Sequence, residues 1–339
     1  MVKTIEQLEQ FMTEPSAALV EDIKKIDGDI LILGIAGKMG PTLAKMAKRA
    51  VEEAGIEKRI IGAARFSNKE MKEELEQAGI ETITCDLLDE AQLAQLPDVP
   101  NVIFMAGNKF GTVNNEHFTW AMNTYVPGRV ADKYKNSKIV VFSSGNIYPF
   151  SPVTAGNCSE DVTPVPVGEY AMSTLGRERI FTNFSNRFQT KMLMFRLNYA
   201  IDLRYGVLLE IAKSVYNDEP VDVTMGSVNV IWQGDANEYA IRSLLHCESP
   251  VKILNVTGPE TLSVRWLAKE FANRFGKAAK IVGEEQPTAL LNTAAHAHKL
   301  FGYPRVTIEE MLDLVAAWVE ADGTTLNKPT HFQERKGAF

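Results

Sequence analysis

The run Asp29–Ile30–Leu31–Ile32–Leu33–Gly34–Ile35–Ala36–Gly37–Lys38–Met39–Gly40–Pro41 constrains the fold more than any other stretch of the chain. Residues 30–33 are unbroken apolar, which reads as a strand buried on both faces of a parallel sheet. Pro41 suits a first helical turn, where its missing N–H is harmless. Leu43, Met46, Ala47, Ala50 and Val51 then recur at helical spacing. Strand, glycine loop and helix in that order aim unpaired N–H groups at the loop, and glycines let a phosphate approach the backbone. The spacing G-x-x-G-x-x-G departs from the dinucleotide fingerprint G-x-G-x-x-G but shares its mechanics. Gly34, Gly37, Lys38, Met39 and Gly40 are therefore candidate phosphate-binding residues.

With 339 residues the chain can bury a large core, in one large or two intimate domains. Hydrophobic content of 45% and charged content of 23% are those of an ordinary soluble globular protein. A net charge of −7 argues against a nucleic-acid partner, which would call for a basic face. No apolar run reaches the roughly 18–20 residues that span a bilayer. Acidic residues begin at Glu6 and no signal-peptide core precedes them, so a cytoplasmic protein without membrane contact is expected. Cys85, Cys158 and Cys247 are odd in number and scattered, giving neither a disulfide framework nor a metal site. His296 and His298, two apart in an apparent helix, point to different faces.

Leu8, Phe11 and Met12, then Leu19, Val20, Ile23 and Ile26, form apolar stripes of an N-terminal helical extension over residues 1–28, broken near Pro15–Ser16. From residue 29 strands and helices alternate, the signature of a doubly wound parallel α/β sheet. Strands are expected at 30–34, 59–64, 81–84, 101–105, 138–143 and 192–197, and helices near 42–54, 68–78, 116–134 and 169–187. A Rossmann-like domain over 29–198, with a return segment near 229–258, leaves 199–228 and 259–339 for a smaller substrate lobe. Dinucleotide-binding folds usually end their second strand with an acidic residue for the ribose 2′-OH. Here Ala64 and Arg65 stand at the tip. An arginine there can clamp a 2′-phosphate, so NADP is expected, with NAD as the alternative.

These segments together resemble the extended short-chain dehydrogenase/reductase family, the group of NAD(P)-dependent sugar epimerases and dehydratases. Cys85–Asp86–Leu87–Leu88–Asp89 is similar to its D-L-x-D stretch, which implies Asp86 and Leu87 at the adenine. Phe104–Met105–Ala106–Gly107 is similar to the strand and turn beneath the nicotinamide ribose. Asn123 matches a helical asparagine that props up the active site. Phe142–Ser143–Ser144–Gly145–Asn146–Ile147–Tyr148 resembles S-S-x-x-V-Y, which implies that Ser144 holds the substrate oxygen. Glu160–Asp161 through Pro164 and Pro166 leads, as in the family, to a catalytic tyrosine, here Tyr170. Arg196–Leu197–Asn198–Tyr199, Leu254–Asn255–Val256–Thr257–Gly258 and Leu300–Phe301–Gly302–Tyr303–Pro304 resemble later motifs. The resemblance also implies a homodimer through the helices at 116–134 and 169–187, where Trp120 and Tyr125 serve an interface or the core.

The pattern breaks at its centre. Y-x-x-x-K reads Tyr170–Ala171–Met172–Ser173–Thr174, without the lysine whose charge favours tyrosinate. A tyrosine with the ordinary pKa of about 10 is only about one part in a thousand ionised at pH 7. Thr174 can bond a ribose hydroxyl but carries no charge; Arg177, one turn further, and Lys109, after the fourth strand, are the two candidate replacements. Gly145–Asn146 offers no carboxylate after Ser144, which disfavours dehydration. Val228 stands where nucleotide-sugar enzymes place a diphosphate-gripping arginine. Lys109, Asn146, Asn198 and Arg204 are the candidate contacts to a smaller substrate such as a sugar or sugar acid. The expected function is an NAD(P)-dependent epimerase or oxidoreductase, with Tyr170 as acid/base. The alternative is a non-catalytic NADP(H)-sensing or scaffold protein.

Overall fold

The computed structural model describes residues 2–109, 111 and 114–337. Its centre is a seven-stranded parallel sheet of β1 (Ile30–Leu33), β2 (Ile60–Ala64), β3 (Glu81–Thr84), β4 (Asn101–Phe104), β5 (Lys138–Ser144), β6 (Met192–Leu197) and β7 (Lys252–Val256). The spatial order is β7-β6-β5-β4-β1-β2-β3, with Ile30 in register with Ile60 on one side and Asn101 on the other. The central strands β1, β2 and β4 are buried at every residue, which is why they read as apolar runs apart from Asn101 at the start of β4, whereas the edge strand β3 is polar and partly exposed. Strand order reverses between β1 and β4, and a doubly wound sheet opens its ligand crevice at the carboxyl ends of such a pair.

The six strands expected from sequence are all present, and the edge strand β7 lies in the return segment. The helix after β1 runs Gly40–Glu53, starting two residues earlier than its apolar spacing suggests. A short helix, Glu90–Gln95, was not foreseen. The segment expected as one helix over 116–134 is Glu116–Trp120, a π-helical turn Ala121–Tyr125, and Val126–Lys133. Pro127 explains the interruption: it has no N–H to give the Asn123 carbonyl, and its ring crowds that turn.

A second core forms the smaller lobe, where Leu208, Ile211, Phe271, Leu312, Val315 and Trp318 pack from the helices Val207–Tyr216, Val264–Phe275 and Ile308–Glu320. The N-terminal helices Ile5–Met12 and Ala17–Ile23 are capped by Thr4 and Ser16, and Leu8 and Met12 enter this second core. They also tie both halves together. Glu9 pairs with Lys45 at 2.6 Å and the Thr13 hydroxyl accepts from Arg49 at 2.9 Å, both on the helix Gly40–Glu53. Ser16 also donates to Glu238 at 2.6 Å and Asp22 pairs with Arg242 at 2.8 Å, on the helix Gln233–Arg242, which packs in the sheet's core as well. Among the described residues no helix is long and apolar enough to cross a membrane.

Candidate active site

The loop after β1 is shaped by contacts that only glycine permits. Gly34 has φ +88°, and a Cβ there would stand 2.7 Å from the Ala106 backbone in the turn after β4. A Cβ on Gly40 would lie 2.0 Å from the Ile35 carbonyl oxygen. Gly37 differs: a Cβ would meet only the Gly34 oxygen, at 3.3 Å, and otherwise points into open space. The loop thus closes tightly on itself and on β4 while leaving one glycine face open to a ligand.

A cavity of about 530 Å³ runs from this loop across the carboxyl ends of β4, β5 and β6 to the C-terminal segment. Of the residues singled out from sequence, Gly34, Gly37, Lys38, Met39, Gly40, Met105, Gly107, Lys109, Ser144, Asn146 and Tyr170 line it. Ser144, at the end of β5, is oriented by its neighbour: its oxygen accepts the Asn146 N–H at 3.1 Å and its hydroxyl reaches Asn146 Oδ1 at 3.2 Å. Tyr170 sits in the first turn of the long helix Gly168–Phe188. Lys109 Nζ lies 5.9 Å from the centre of its ring, and burial pushes the Lys109 ammonium down to about 8. Lys38 Nζ leaves the loop to donate to the Ala200 carbonyl at 3.2 Å and sits 3.8 Å from the Tyr205 ring centre. Burial brings Lys38 down to about 7.

Arg177 supplies a cation on the same helix as Tyr170. Its guanidinium donates to the Phe142 carbonyl at 2.7 Å and to Asn123 Oδ1 at 2.9 Å, lies over the Phe104 ring, and lines the cavity. Gly107 makes room for it, since a Cβ there would fall 2.4 Å from an Arg177 Nη. Burial lowers the Arg177 pKa, and Tyr170 is near enough to act on it electrostatically in the opposite sense. Asn123 holds the group in place. From the π-helical turn its amide also accepts the Asn108 N–H at 2.8 Å and donates to the Asn108 carbonyl at 2.8 Å and to Ser173 at 3.0 Å.

Other candidates lie elsewhere. Thr174 is buried, its hydroxyl has no hydrogen-bond partner, and it is not part of the cavity wall. Asn198 is likewise buried behind the wall. Arg204, expected to meet a substrate anion, is held by Asp202 through a 3.0 Å ion pair and does not line the cavity. Arg65 is exposed at the tip of β2. Asp86 accepts the Leu88 N–H at 3.0 Å, with Leu87 and Ala106 buried beside the sheet. Trp120 and Tyr125 are exposed, and the indole of Trp120 donates to Glu169 at 2.5 Å. Beneath the site Glu178 takes a bidentate pair from Arg196 (2.9 and 2.8 Å) and the Ser143 hydroxyl at 2.5 Å. Tyr148 bridges Arg196 to Asn255 on β7, so one polar network binds β5, β6, β7 and the tyrosine-bearing helix.

Sequence reasoning missed the outer wall. Residues 326–337 fold across the lobe: Thr330 bonds Glu210 at 2.6 Å, Phe332 is buried in the second core, and Arg335 donates to Thr288 at 2.8 and 2.6 Å while stacking on Phe150. This brings Lys328 and Thr330 to the cavity beside Tyr199 and Tyr205. The only hint in the sequence is Phe332 set among polar residues. Among the described residues no cluster of His, Cys, Asp or Glu could hold a metal ion.

A dinucleotide-type glycine loop at the switch point of a seven-stranded parallel sheet defines a Rossmann-like α/β protein. Residues 30–201, just over half of the chain, match the model of the NAD dependent epimerase/dehydratase family, and the chain belongs to that family. Membership makes it an epimerase- or dehydrogenase-like enzyme of the NAD-dependent kind. No curated protein matches it. Solved structures share the fold at low identity. A UDP-glucuronic acid 4-epimerase from Bacillus cereus in complex with NAD superposes with a TM-score of 0.71 at 18% identity, covering 86% of this chain and 98% of that one. A UDP-glucose 4-epimerase from Thermus thermophilus with NAD gives 0.69 at 18%, over 85% and 97%. The Thermotoga maritima UDP-glucose 4-epimerase with UDP-glucose gives 0.69 at 16%, over 87% and 99%.

Proposed function

We propose that this chain is an NAD(P)-dependent epimerase or oxidoreductase acting on a hydroxyl of a sugar or sugar-acid-like compound. The observation that carries this reading is the meeting of Tyr170, Ser144 and the glycine loop on one cavity. The residues present fit a nicotinamide dinucleotide, because Gly34 and Gly40 close the loop and Gly37 leaves its backbone approachable. Gly34, Gly37, Met39, Gly40 and the backbone of Lys38 would hold its phosphates, Asp86 and Leu87 would border the adenine, and Met105, Ala106 and Gly107 would lie under the nicotinamide half. When bound, the cofactor supplies a hydride acceptor. Ser144 positions the substrate oxygen, and Tyr170 removes the hydroxyl proton and returns it. Arg177 supplies the positive charge that favours ionised tyrosine, in place of the absent lysine. Its wall position and its electrostatic interaction with Tyr170 support it over the neutral Thr174.

The test is Tyr170→Phe in the purified enzyme. Turnover is lost with little change in cofactor affinity; undiminished turnover would refute the assignment. Denaturing the protein and identifying the released nucleotide by mass spectrometry decides the cofactor. Retained NADP supports the exposed Arg65 as a 2′-phosphate clamp, and retained NAD removes that role.

A further inference from the structure

The helix that carries Tyr170 begins without a side-chain cap: Val167 precedes it, and Gly168 opens it at φ +81°. Tyr170 is two residues further on, so whatever fixes Gly168 fixes how the phenol enters the cavity. The segment packed on Gly168 comes from the far end of the chain. A Cβ on Gly168 would lie 2.3 Å from the Gly337 carbonyl oxygen, and a Cβ on Gly337 would lie 2.4 Å from the Val167 oxygen and 2.6 Å from Gly168 Cα. Gly337 has φ +80°, so each glycine excludes a side chain both by its conformation and by the presence of the other. The contact is backbone on backbone, and no side-chain rotation can absorb a change in it.

Gly337 is the last step of a segment whose other anchors lie on the lobe: Glu210 for Thr330, the second core for Phe332, and Thr288 and Phe150 for Arg335. The serine side joins the same place. The Val165 N–H, just before the tyrosine helix, donates at 2.9 Å to the carbonyl of Ile147, which ends the turn Gly145–Ile147 after Ser144. Asn146, Val167, Glu334 and Gly337 border one gap of about 20 Å³. The Trp120 indole holds Glu169, so the first turn of the helix is gripped from a second element as well. We propose that residues 330–337 act as a strut that sets Tyr170 against Ser144, with Gly337 and Gly168 as its positioning residues. This rests on the reading of Tyr170 as acid/base, and it assigns the placing of that phenol to the lobe. A misplacement of about 1 Å at reacting groups costs on the order of a hundredfold in rate.

The experiment uses NAD-loaded full-length protein labelled with 3-fluorotyrosine, in which the fluorine resonance that disappears in Tyr170→Phe is that of Tyr170. Two variants break the contact: Gly337→Val, and a chain ended at Lys336, which keeps Phe332 and Arg335 should the valine variant not fold. In each, the Tyr170 resonance shifts, the amides of residues 169–172 exchange about tenfold faster, and NAD affinity stays within about twofold. In the turnover assay used for Tyr170→Phe, kcat falls on the order of a hundredfold while KM moves little. Gly168→Ala reproduces the resonance change from the other side of the contact. A Tyr170 resonance unmoved in both Gly337 variants, even beside a lower melting temperature, overturns the proposal and leaves the segment as a brace of the lobe. So does an unchanged kcat in both where Tyr170→Phe is inactive. A fully active Tyr170→Phe refutes the acid/base reading instead, and the resonance alone then decides the strut.

Discussion

Replacing Arg177 separates its two jobs. Arg177→Met removes a buried guanidinium whose two hydrogen bonds, at 2.7 and 2.9 Å, go to the Phe142 carbonyl and Asn123 Oδ1. Asn123 Oδ1 keeps the Asn108 N–H at 2.8 Å, so only the Phe142 carbonyl loses the side-chain donor. One orphaned buried acceptor costs about 1–3 kcal/mol. Relief of the desolvated charge offsets part of that, since burial already works against ionised Arg177. The enzyme should therefore fold, with a melting temperature lower by several degrees at most. The electrostatic consequence is larger. An opposite charge nearby favours the ionised form of an acid, so losing it removes that help from proton transfer at Tyr170. kcat at neutral pH then falls roughly tenfold to a thousandfold, and its pH–rate profile moves in the alkaline direction. Arg177→Lys restores part of the rate if its ammonium reaches the same place. The assay is kcat against pH on the wild type and both variants, beside thermal unfolding of each. An unchanged profile in Arg177→Met, with only the melting temperature altered, would refute the catalytic argument and leave Arg177 as a brace.

Three further outcomes follow from the same geometry. Gly34→Ala, with φ +88° and a Cβ 2.7 Å from Ala106, costs roughly 2–5 kcal/mol of stability, whereas Gly37→Ala unfolds like the wild type but binds cofactor at least about tenfold more weakly; equal cofactor affinity in Gly37→Ala would disprove the open-face reading of the loop. Lys38, lowered to about 7 in the folded state from 10.5, binds fewer protons folded than unfolded between those values, so its contribution to stability improves as pH rises from about 7 toward 10; Lys38→Met should gain on the ligand-free wild type more at pH 6 than at pH 9, measured by urea unfolding. Phe332→Ala removes the buried anchor of the C-terminal segment and costs about 3–5 kcal/mol if that segment unfolds with the rest; protection from hydrogen exchange confined to residues outside 326–337 in the variant would show that it opens alone.

Much of the sheet could be read in advance because its signal is local. Residues 30–33 and 102–104 are apolar on both faces, and that alone places them inside a parallel sheet. Pro15–Ser16 likewise divides two helices by a rule that needs no tertiary context. That Ser144 and Tyr170 belong together was legible through motif order, and both line the one cavity. What sequence left hidden depends on partners distant in the chain or on weak local preference. Arg204 looks available until Asp202 is seen to hold it. Arg177 and Thr174 share a helix with Tyr170, but only packing against Asn123 and Gly107 brings the arginine to the wall and leaves the threonine behind it. The six-residue helix Glu90–Gln95 is too short for periodicity to declare itself. Lys328 belongs to the site because Phe332 docks in the second core and Arg335 stacks on Phe150, 185 residues earlier in the chain.

The N-terminal helices bear on how ligands come and go. Leu8 and Met12 pack in the second core, while Glu9, Thr13, Ser16 and Asp22 bond the phosphate-loop helix and the helix Gln233–Arg242, both of which belong to the sheet's core. A hinge between sheet and lobe would have to break those bonds or draw Leu8 and Met12 out of the second core. An enzyme tied this way does not spend its ligands' binding energy on clamshell closure, so that energy stays available for the reacting atoms. Traffic through the cavity then falls to the segment 326–337, and the dwell time of product becomes a matter of how often that short stretch lifts from Phe150 and Glu210.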